Sequence, residues 1–396
     1  MRLSNRMSAV APSATLAVDA LVRKARAEGV DVIGFGTGEP DFDTPEHIKE
    51  AAWAALREGR TKYTPTGGTP ELRQAICSDL ARRGLSYHPG EVVAATGAKQ
   101  ALYNAFQVLL DPGDEVLIPA PYWVSYVEMV RLAGGVPVIV PGEEGNGFVP
   151  SVEALAKRCS PRTRAVIVNS PSNPTGELWP RELLQAAGEL AVERDLVIVS
   201  DEIYDRLVYD GAQPLSVAAL APEFKERTII VNGVSKAYAM TGWRIGYAAG
   251  PAPLIEAMVT LQSHSTSNPN SIAQAAAVAA LTGPQEPVEE MRREFEVRRN
   301  LMVEGLTQLP GVSCRRPPGA FYAFPNVKPL LGRKAGGEAV ADSIGLTRFL
   351  LEKARVAVVP GIAFGAEGYL RLSYATSRAR IADGLRRLGE ALAALV

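Results

Sequence analysis

Short apolar runs alternate with amphipathic segments over most of the chain. The apolar runs that begin at residues 92, 115, 136, 165, 196, 228 and 244 predict seven β-strands. The segments between them are mostly helical in pattern, as in residues 97–110. Strands that alternate with helices are typical of a mostly parallel sheet covered by helices on both faces. The sequence therefore predicts an α/β fold with a seven-stranded sheet.

The pattern changes near residue 285. Residues 283–287, GPQEP, are the best candidate for a linker, and a charged helix is predicted over 288–306. Short strands and an amphipathic last helix over 378–395 then predict a smaller α+β domain. We expect three regions: an N-terminal arm with part of the small domain (1–45), a large domain (46–285) and a C-terminal small domain (286–396).

Three of the apolar runs lead into polar side chains. The run at 165 leads to Asn169 and Asn173, the run at 196 to Asp201 and Tyr204, and the run at 228 to Lys236. In open α/β sheets, ligands bind beyond the carboxyl ends of the strands. We therefore expect these side chains to form one site.

Lys236 and Arg244 lie in the mainly apolar stretch 228–250, which predicts a strand, two turns and a second strand that carries Arg244. Burial lowers the pKa of a lysine because it disfavours the ammonium form. Such a lysine can act as a nucleophile or a base. A solvated loop lysine beside an ordinary ion-paired arginine is the commoner case for a single pair, but the neighbouring strand ends favour a site.

Composition narrows the function classes. The 396 residues are 47% hydrophobic and carry a net charge of −1, so the chain can bury a large core and has no general field for nucleic acid. Three cysteines without CxxC spacing and three scattered histidines argue against a disulfide framework or a metal site. No apolar run approaches the length of a membrane span, and the N-terminus lacks a signal-peptide pattern. We expect a soluble cytoplasmic protein that does not bind membranes.

Two glycine-containing turns are candidate ligand sites. The stretch that ends at Gly38 is not a dinucleotide fingerprint, because its third glycine is misplaced and Pro40 and Pro45 follow. It forms either a tight turn or a close backbone approach to a ligand. Gly97, Ala98 and Lys99 begin a predicted helix, whose N-terminal amides can bind an anion; a plain strand-to-helix turn is the alternative.

The motifs NSPSNPTG, SDEIY, SK at 235–236, GWRIGY and RLSYA together resemble those of the class I aminotransferases, which are pyridoxal-phosphate enzymes of fold type I. The similarity is strongest to the bacterial aspartate aminotransferase branch and runs from about Pro12 to the C-terminus. It implies a fold type I large domain, pyridoxal 5'-phosphate as cofactor and a homodimer with shared active sites. The implied reaction is transamination of L-aspartate with 2-oxoglutarate to give oxaloacetate and L-glutamate.

The resemblance assigns roles around the cofactor ring. Lys236 would form the Schiff base and shuttle the proton between substrate and cofactor. Asp201 would face the pyridine nitrogen and keep it protonated. Tyr204 and Asn173 would hydrogen-bond the ring oxygen, and Trp123 would stack on the ring.

The resemblance also assigns a phosphate site. Arg244, Ser235 and the amides of Gly97, Ala98 and Lys99 would hold the phosphate. Tyr63, otherwise an ordinary loop aromatic, would reach the phosphate of the other subunit. One departure is visible, because Gly233 stands where the family often has a serine.

The resemblance also implies which residues contact the substrate. Arg371 lies in the alternating segment YLRLSY, where an arginine normally faces water. Its fork of donors suits a carboxylate, and the resemblance makes it the α-carboxylate ligand. Lys99 would attract the distal carboxylate. The expected substrate contacts are Ser13, Thr15, Gly38, Lys99, Trp123, Asn173 and Arg371.

Several alternatives stay open at this stage. They are an aminotransferase for aromatic or neutral amino acids, one for prephenate, and a C–S lyase on the same scaffold. Ala11 stands where some relatives that accept prephenate carry a lysine, so we expect little prephenate activity. A pyridoxal-phosphate-binding transcriptional sensor is disfavoured, because no basic helix precedes the fold.

Overall fold

The computed structural model describes residues 4–335 and 338–395. Its strands are β1 (Ile33–Gly34), β2 (Val92–Ala95), β3 (Glu115–Ala120), β4 (Val136–Pro141), β5 (Thr163–Asn169), β6 (Val197–Asp201), β7 (Thr228–Gly233), β8 (Gly246–Ala249), β9 (Tyr322–Ala323), β10 (Lys334–Ala335), β11 (Glu338–Ala339), β12 (Val356–Ala357), β13 (Val359–Pro360) and β14 (Leu370–Ser373). Its helices are α1 (Ala14–Ala27), α2 (Glu46–Arg57), α3 (Pro70–Ala81), α4 (Ala98–Leu109), α5 (Ser125–Leu132), α6 (Val152–Arg158), α7 (Arg181–Glu193), α8 (Pro222–Lys225), α9 (Ala252–Ser263), α10 (Ser271–Thr282), α11 (Glu286–Thr307), α12 (Ser343–Ala354) and α13 (Arg378–Leu392).

The central sheet has the strand order β2-β8-β7-β6-β5-β3-β4. Strands β7, β6, β5, β3 and β4 pair in parallel, whereas β8 is antiparallel to both of its neighbours, β7 and β2. Strand β8 runs backwards because no crossover helix separates it from β7. The predicted seven-stranded, mostly parallel sheet is confirmed.

Both faces of the sheet are covered by helices. Along β2, Val92 and Ala94 pack into a core that includes α2, α3 and α10. Val93 and Ala95 point the other way and pack with α4, α5 and α9. This alternation follows from the two-residue period of a strand, and it explains why the strands are apolar on both sides.

A second core lies outside the central sheet. Ile33 and Phe35, from the N-terminal region, pack there with residues of α11, α12 and α13. Tyr204 and Leu207, which follow β6, belong to the same cluster. This cluster brings the turn after β6 against α11, α12 and α13; the division into 1–45, 46–285 and 286–396 stays a prediction. Among the described helices, no segment is both long and apolar enough to cross a bilayer.

One local prediction is wrong. Arg244 does not lie on a strand, because β8 begins two residues later, at Gly246. Arg244 instead ends the 3₁₀ turn Thr241–Trp243 with a left-handed backbone, φ 59°. That conformation is sterically incompatible with a strand, and the Arg244 side chain donates hydrogen bonds to the carbonyl oxygens of Thr241 and Thr96.

Candidate active site

A cavity of about 480 Å³ lies at the carboxyl ends of the central strands. Two register partners, Asn169 on β5 and Asp201 on β6, lie at its base. Most of the side chains predicted from the sequence line this cavity. They are Thr15, Gly38, Ala98, Lys99, Trp123, Asn173, Asp201, Tyr204, Ser235, Lys236, Arg244 and Arg371.

Three predicted residues do not line the cavity. Ser13 lies just before Thr15, and their hydroxyl oxygens are 2.9 Å apart. Gly97 lies behind the guanidinium of Arg244. Tyr63 is 93% exposed, so within this chain it is separate from the other site residues.

The Lys236 side chain reaches into the cavity from the loop after β7. Its Nζ donates a hydrogen bond to the carbonyl oxygen of Gly38 at 2.6 Å. Burial lowers the pKa of Lys236 to about 8; the positive charges of Arg244 and Arg371 act in the same direction, and Glu39 opposes them. A substantial fraction of this amine is therefore neutral near physiological pH, as nucleophilic or basic chemistry requires.

Asp201 is the last residue of β6 and is buried. Its Oδ2 accepts a hydrogen bond from the hydroxyl of Tyr126 at 2.6 Å, and its Oδ1 accepts one from the backbone N–H of Ile203 at 3.3 Å. Burial raises the pKa of Asp201 to about 6, while these two donors hold it down. The carboxylate is therefore mainly ionised at neutral pH and fixed in orientation.

The Asn169 side chain joins the ends of β5 and β6. Its Oδ1 accepts a hydrogen bond from the backbone N–H of Asn173 at 2.9 Å, and its Nδ2 donates to the carbonyl oxygen of Asp201 at 3.0 Å. The turn that carries Asn173 is thus fixed relative to Asp201. Tyr204, which follows Asp201, has its hydroxyl 2.8 Å from that of Tyr322. Burial raises the pKa of Tyr204 well above 10, so this hydroxyl stays protonated.

Arg371 lies on β14 and is fully buried. Its guanidinium donates to Oδ1 of Asn173 at 3.0 Å and to the carbonyl oxygen of Gly36 at 2.6 Å. The guanidinium also lies over the rings of Tyr322 and Phe364, at 4.6 and 5.0 Å from their centroids. The water-facing alternative for Arg371 is therefore excluded, and its donors face a cavity suited to a carboxylate.

The opposite part of the cavity favours an anion. Helix α4 begins at Ala98, after Gly97 with φ 82°, and the first amides of a helix have no helical acceptor. A Cβ at Gly97 would overlap the guanidinium of Arg244. Ala98 at this helix end, the buried Ser235 and Arg244 line the same cavity, and helix N-termini and arginines are donors that suit an anion.

Lys99 lies in the first turn of α4 and lines the cavity. Its Nζ is 4.8 Å from the centroid of the Trp123 ring. Partial burial lowers the pKa of Lys99, and the charge of Arg244 adds to that effect. Lys99 is therefore a further cationic side chain in the cavity, in addition to Arg244 and Arg371.

Comparison with known proteins identifies the family. The family model described as aminotransferase class I and II matches residues 30–388, most of the chain.

This chain belongs to the class I and II aminotransferases.

Individual relatives are similar to this chain over almost its full length. The chain is 54% identical to an aspartate aminotransferase of Geobacillus stearothermophilus over 389 residues, 98% of each chain. It is 49% identical to an aspartate/prephenate aminotransferase of Thermus thermophilus, again over 98% of each chain. The crystal structure of the aspartate aminotransferase from Rhizobium meliloti superposes with a TM-score of 0.97, at 45% identity and 100% coverage of both chains.

Aminotransferases of this class use pyridoxal phosphate, and the residues present fit that group. Gly97 leaves room for Arg244 beside the amides of α4, which suits the phosphate. A buried carboxylate, Asp201, suits a protonated ring nitrogen, and the amine of Lys236 suits an aldehyde. These groups line a single cavity.

The sequence reasoning missed two aromatic residues of this aminotransferase site. Tyr126 donates to Asp201, and Tyr322 contacts both Tyr204 and Arg371. Tyr126 lies three residues after Trp123 on a predicted helix, so helical spacing could have placed the two on one face. Tyr322 lies in the apolar segment GAFYAF and has no comparable signal.

Proposed function

We propose that this aminotransferase transfers the amino group of L-aspartate to 2-oxoglutarate, forming oxaloacetate and L-glutamate. The observation that carries the proposal is that Arg371 and Lys99, whose side chains are not needed for the proposed phosphate site, line the same cavity. Both substrates are dicarboxylates. Arg371 binds the α-carboxylate in a bidentate manner, and Lys99 attracts the distal carboxylate.

The N-terminal helix and the names of the relatives support the same substrate class. Thr15 and Leu16 of α1 line the cavity together with Lys99. The Thr15 hydroxyl, fixed by Ser13, adds a donor near the distal carboxylate. Relatives of about 50% identity are named aspartate aminotransferases. An aromatic or neutral substrate, in contrast, would leave the ammonium group of Lys99 partly buried and without an anionic partner.

When bound, pyridoxal phosphate supplies an electron sink for the negative charge that develops at the substrate Cα. Lys236 would hold the cofactor through Nζ, and the same amine, when free, would accept the proton from the substrate Cα. Its lowered pKa allows this at neutral pH. Asp201 would keep the ring nitrogen protonated, and Tyr126 holds Asp201 in position.

Other side chains orient the two ligands. Tyr204 and Asn173 would donate to the ring oxygen of the cofactor, and Trp123 would pack against its ring. Arg244, Ser235 and the amides of residues 97–99 would bind the phosphate. The backbone of Gly38, which accepts from Lys236 in this structure, contacts the substrate carboxylate.

The packing around Gly233 leaves no room for the serine that the family often has at this position and whose hydroxyl would contact the phosphate. A Cβ at Gly233 would lie 2.7 Å from the Cα of Gly246 on the paired strand β8. A serine at this position would therefore require the two strands to move apart. We propose that this chain binds the phosphate without that hydroxyl and depends more on Ser235 and Arg244.

We further propose a homodimer in which each subunit completes the site of the other. Tyr63 is almost fully exposed and lies outside its own cavity, as a residue that serves a partner would. The cytoplasmic location expected from the sequence stays a prediction.

The test is a panel of amino donors with 2-oxoglutarate as acceptor. We expect kcat/KM for L-aspartate to exceed that for L-phenylalanine, L-tyrosine and L-alanine, and glutamate plus prephenate to react slowly. Release of pyruvate and sulfide from L-cysteine would instead support a lyase. An aromatic donor that is preferred over aspartate would contradict the proposal.

A further inference from the structure

Gln285 occupies the short connection between α10 and α11. Its side-chain Nε2 donates to the carbonyl oxygens of Ala280 and Gly283, at 2.9 and 2.8 Å. Its Oε1 accepts from Nη1 of Arg206 and from the hydroxyl of Tyr238, both at 3.0 Å. A side-chain amide has two N–H donors and two acceptor lone pairs. Gln285 uses all four.

The two donors to Oε1 come from the two loops that carry the reactive groups. Tyr238 lies two residues after Lys236, and Arg206 lies two residues after Tyr204. The guanidinium of Arg206 also lies over the Tyr238 ring, 5.6 Å from its centroid, and pairs with the buried Asp79 of α3. Gln285 therefore joins the loop of Lys236 to the turn of Tyr204 without lining the cavity itself.

Helix α11 begins directly after Gln285 and makes a separate contact with a segment near the cavity. Nη1 of Arg298 on this helix lies 2.6 Å from Oδ1 of Asp41. Asp41 follows Gly38, whose carbonyl oxygen accepts from Lys236. The same helix thus holds the segments on either side of the lysine amine.

We propose that Gln285 is a positioning residue for transamination. It holds the Lys236 loop and the Tyr204 turn in fixed positions relative to the start of α11. The reaction it serves is the proposed transamination of aspartate. Glutamate at this position would lose both donors, and asparagine would be one methylene too short to reach both loops. Methionine would keep the length and remove every hydrogen bond.

The first readout is the reactivity of Lys236 in the full-length, cofactor-free chain. Competitive labelling with acetic anhydride over a range of pH gives the pH at which Lys236 is half labelled. The charged groups that act on this amine are Glu39, Asp201, Arg244 and Arg371, and Gln285→Met alters none of them. A released loop becomes better solvated, so we expect the half-labelling pH to rise by about one unit, towards that of a free lysine.

The second readout is steady-state kinetics of the holoenzyme. We expect Gln285→Met to lower kcat about tenfold and to change KM for aspartate less than twofold, because Arg371 and Lys99 are untouched. Tyr238→Phe should give a smaller effect in the same direction. The double variant should be no worse than Gln285→Met alone, because both changes remove the same link.

Two controls separate positioning from general stability. Gln308→Met changes an exposed glutamine at the other end of α11. Ser151→Ala removes the cap of α6, whose hydroxyl accepts from the N–H of Ala154, and lowers stability at a helix that does not line the cavity. Neither should move the half-labelling pH or kcat.

The proposal is wrong if Gln285→Met behaves like these controls in both readouts. If the wild-type protein shows no transamination, the proposed function fails, whereas the half-labelling pH still decides the role of Gln285.

Discussion

Lys236 and Asp201 show how burial prepares two residues for chemistry. Burial brings the pKa of the lysine down to about 8 and that of the aspartate up to about 6. Both values approach neutrality because each charged form loses hydration in the same cavity. The site therefore costs stability, as functional sites that contain buried ionisable groups commonly do.

Asp201→Asn tests this cost. The folded protein binds the Asp201 proton more tightly than the unfolded chain does. The free energy of unfolding therefore falls as pH rises from about 4 through 6. In the cofactor-free protein, we expect the variant to gain about 3 kcal/mol in free energy of unfolding at pH 7 and only about 0.5 kcal/mol at pH 4. Transamination should fall by more than about a hundredfold.

Urea unfolding of both proteins at the two pH values measures the difference. Asp111→Asn, at an exposed carboxylate, is the control and should change stability little at either pH. A gain for Asp201→Asn that is the same at pH 4 and pH 7 would contradict desolvation of the carboxylate as its cause.

Lys99→Ala tests the selectivity for dicarboxylates. Loss of a charge-assisted hydrogen bond costs about 1.5–3 kcal/mol, so we expect kcat/KM for aspartate to fall about tenfold to a hundredfold. The value for alanine, which has no distal carboxylate, should change less than about threefold. Equal losses for the two substrates would assign Lys99 to the phosphate rather than to the substrate.

At the scale of elements, the sequence predicted which polar residues follow the strands, but it did not predict the contacts between distant segments. Apolar runs that lead into Asn173, Asp201 and Lys236 indicated one site, because parallel strands of one sheet end at the same edge. The sequence did not reveal the left-handed turn at Arg244, since the apolar residues after Gly242 fit the start of a strand equally well. Tyr322 pairs with Tyr204 across 118 residues, and only tertiary packing decides such a pair.

Gly97→Ala tests the start of α4 as a phosphate site. The new Cβ would overlap the guanidinium of Arg244, and φ at this position is 82°. We expect the affinity for pyridoxal phosphate to fall at least about tenfold, as measured by equilibrium dialysis, because Arg244 must move.

Gly113→Ala is the matched control for this change. Gly113 also has a positive φ, 90°, but a Cβ there would meet no atom within 4 Å. Both variants should lose about 1 kcal/mol from backbone strain, and only Gly97→Ala should weaken cofactor binding. Equal cofactor affinity in the two variants would remove the phosphate role of this helix end.

At the scale of the whole molecule, Tyr63 and Lys236 should belong to the same site only across two subunits. We expect Tyr63→Ala to weaken cofactor binding although Tyr63 lies outside its own cavity. Mixing unfolded Lys236→Ala and Tyr63→Ala chains and refolding them together should give more activity than either variant alone, because a hybrid dimer contains one site with neither change. A mixture no more active than the sum of its parts would contradict shared sites.

The central claim is that this cavity exchanges an amino group with aspartate and with 2-oxoglutarate in turn. The most direct measurement is the near-ultraviolet and visible absorption spectrum of the holoenzyme during sequential additions. L-aspartate should replace the band of the lysine-bound cofactor by that of its pyridoxamine form, and 2-oxoglutarate should restore the first band. Lys236→Ala should show no such cycle. A wild-type band that aspartate leaves unchanged while another amino acid converts it would contradict the proposed substrate, and no cofactor band at all would contradict the role of Lys236.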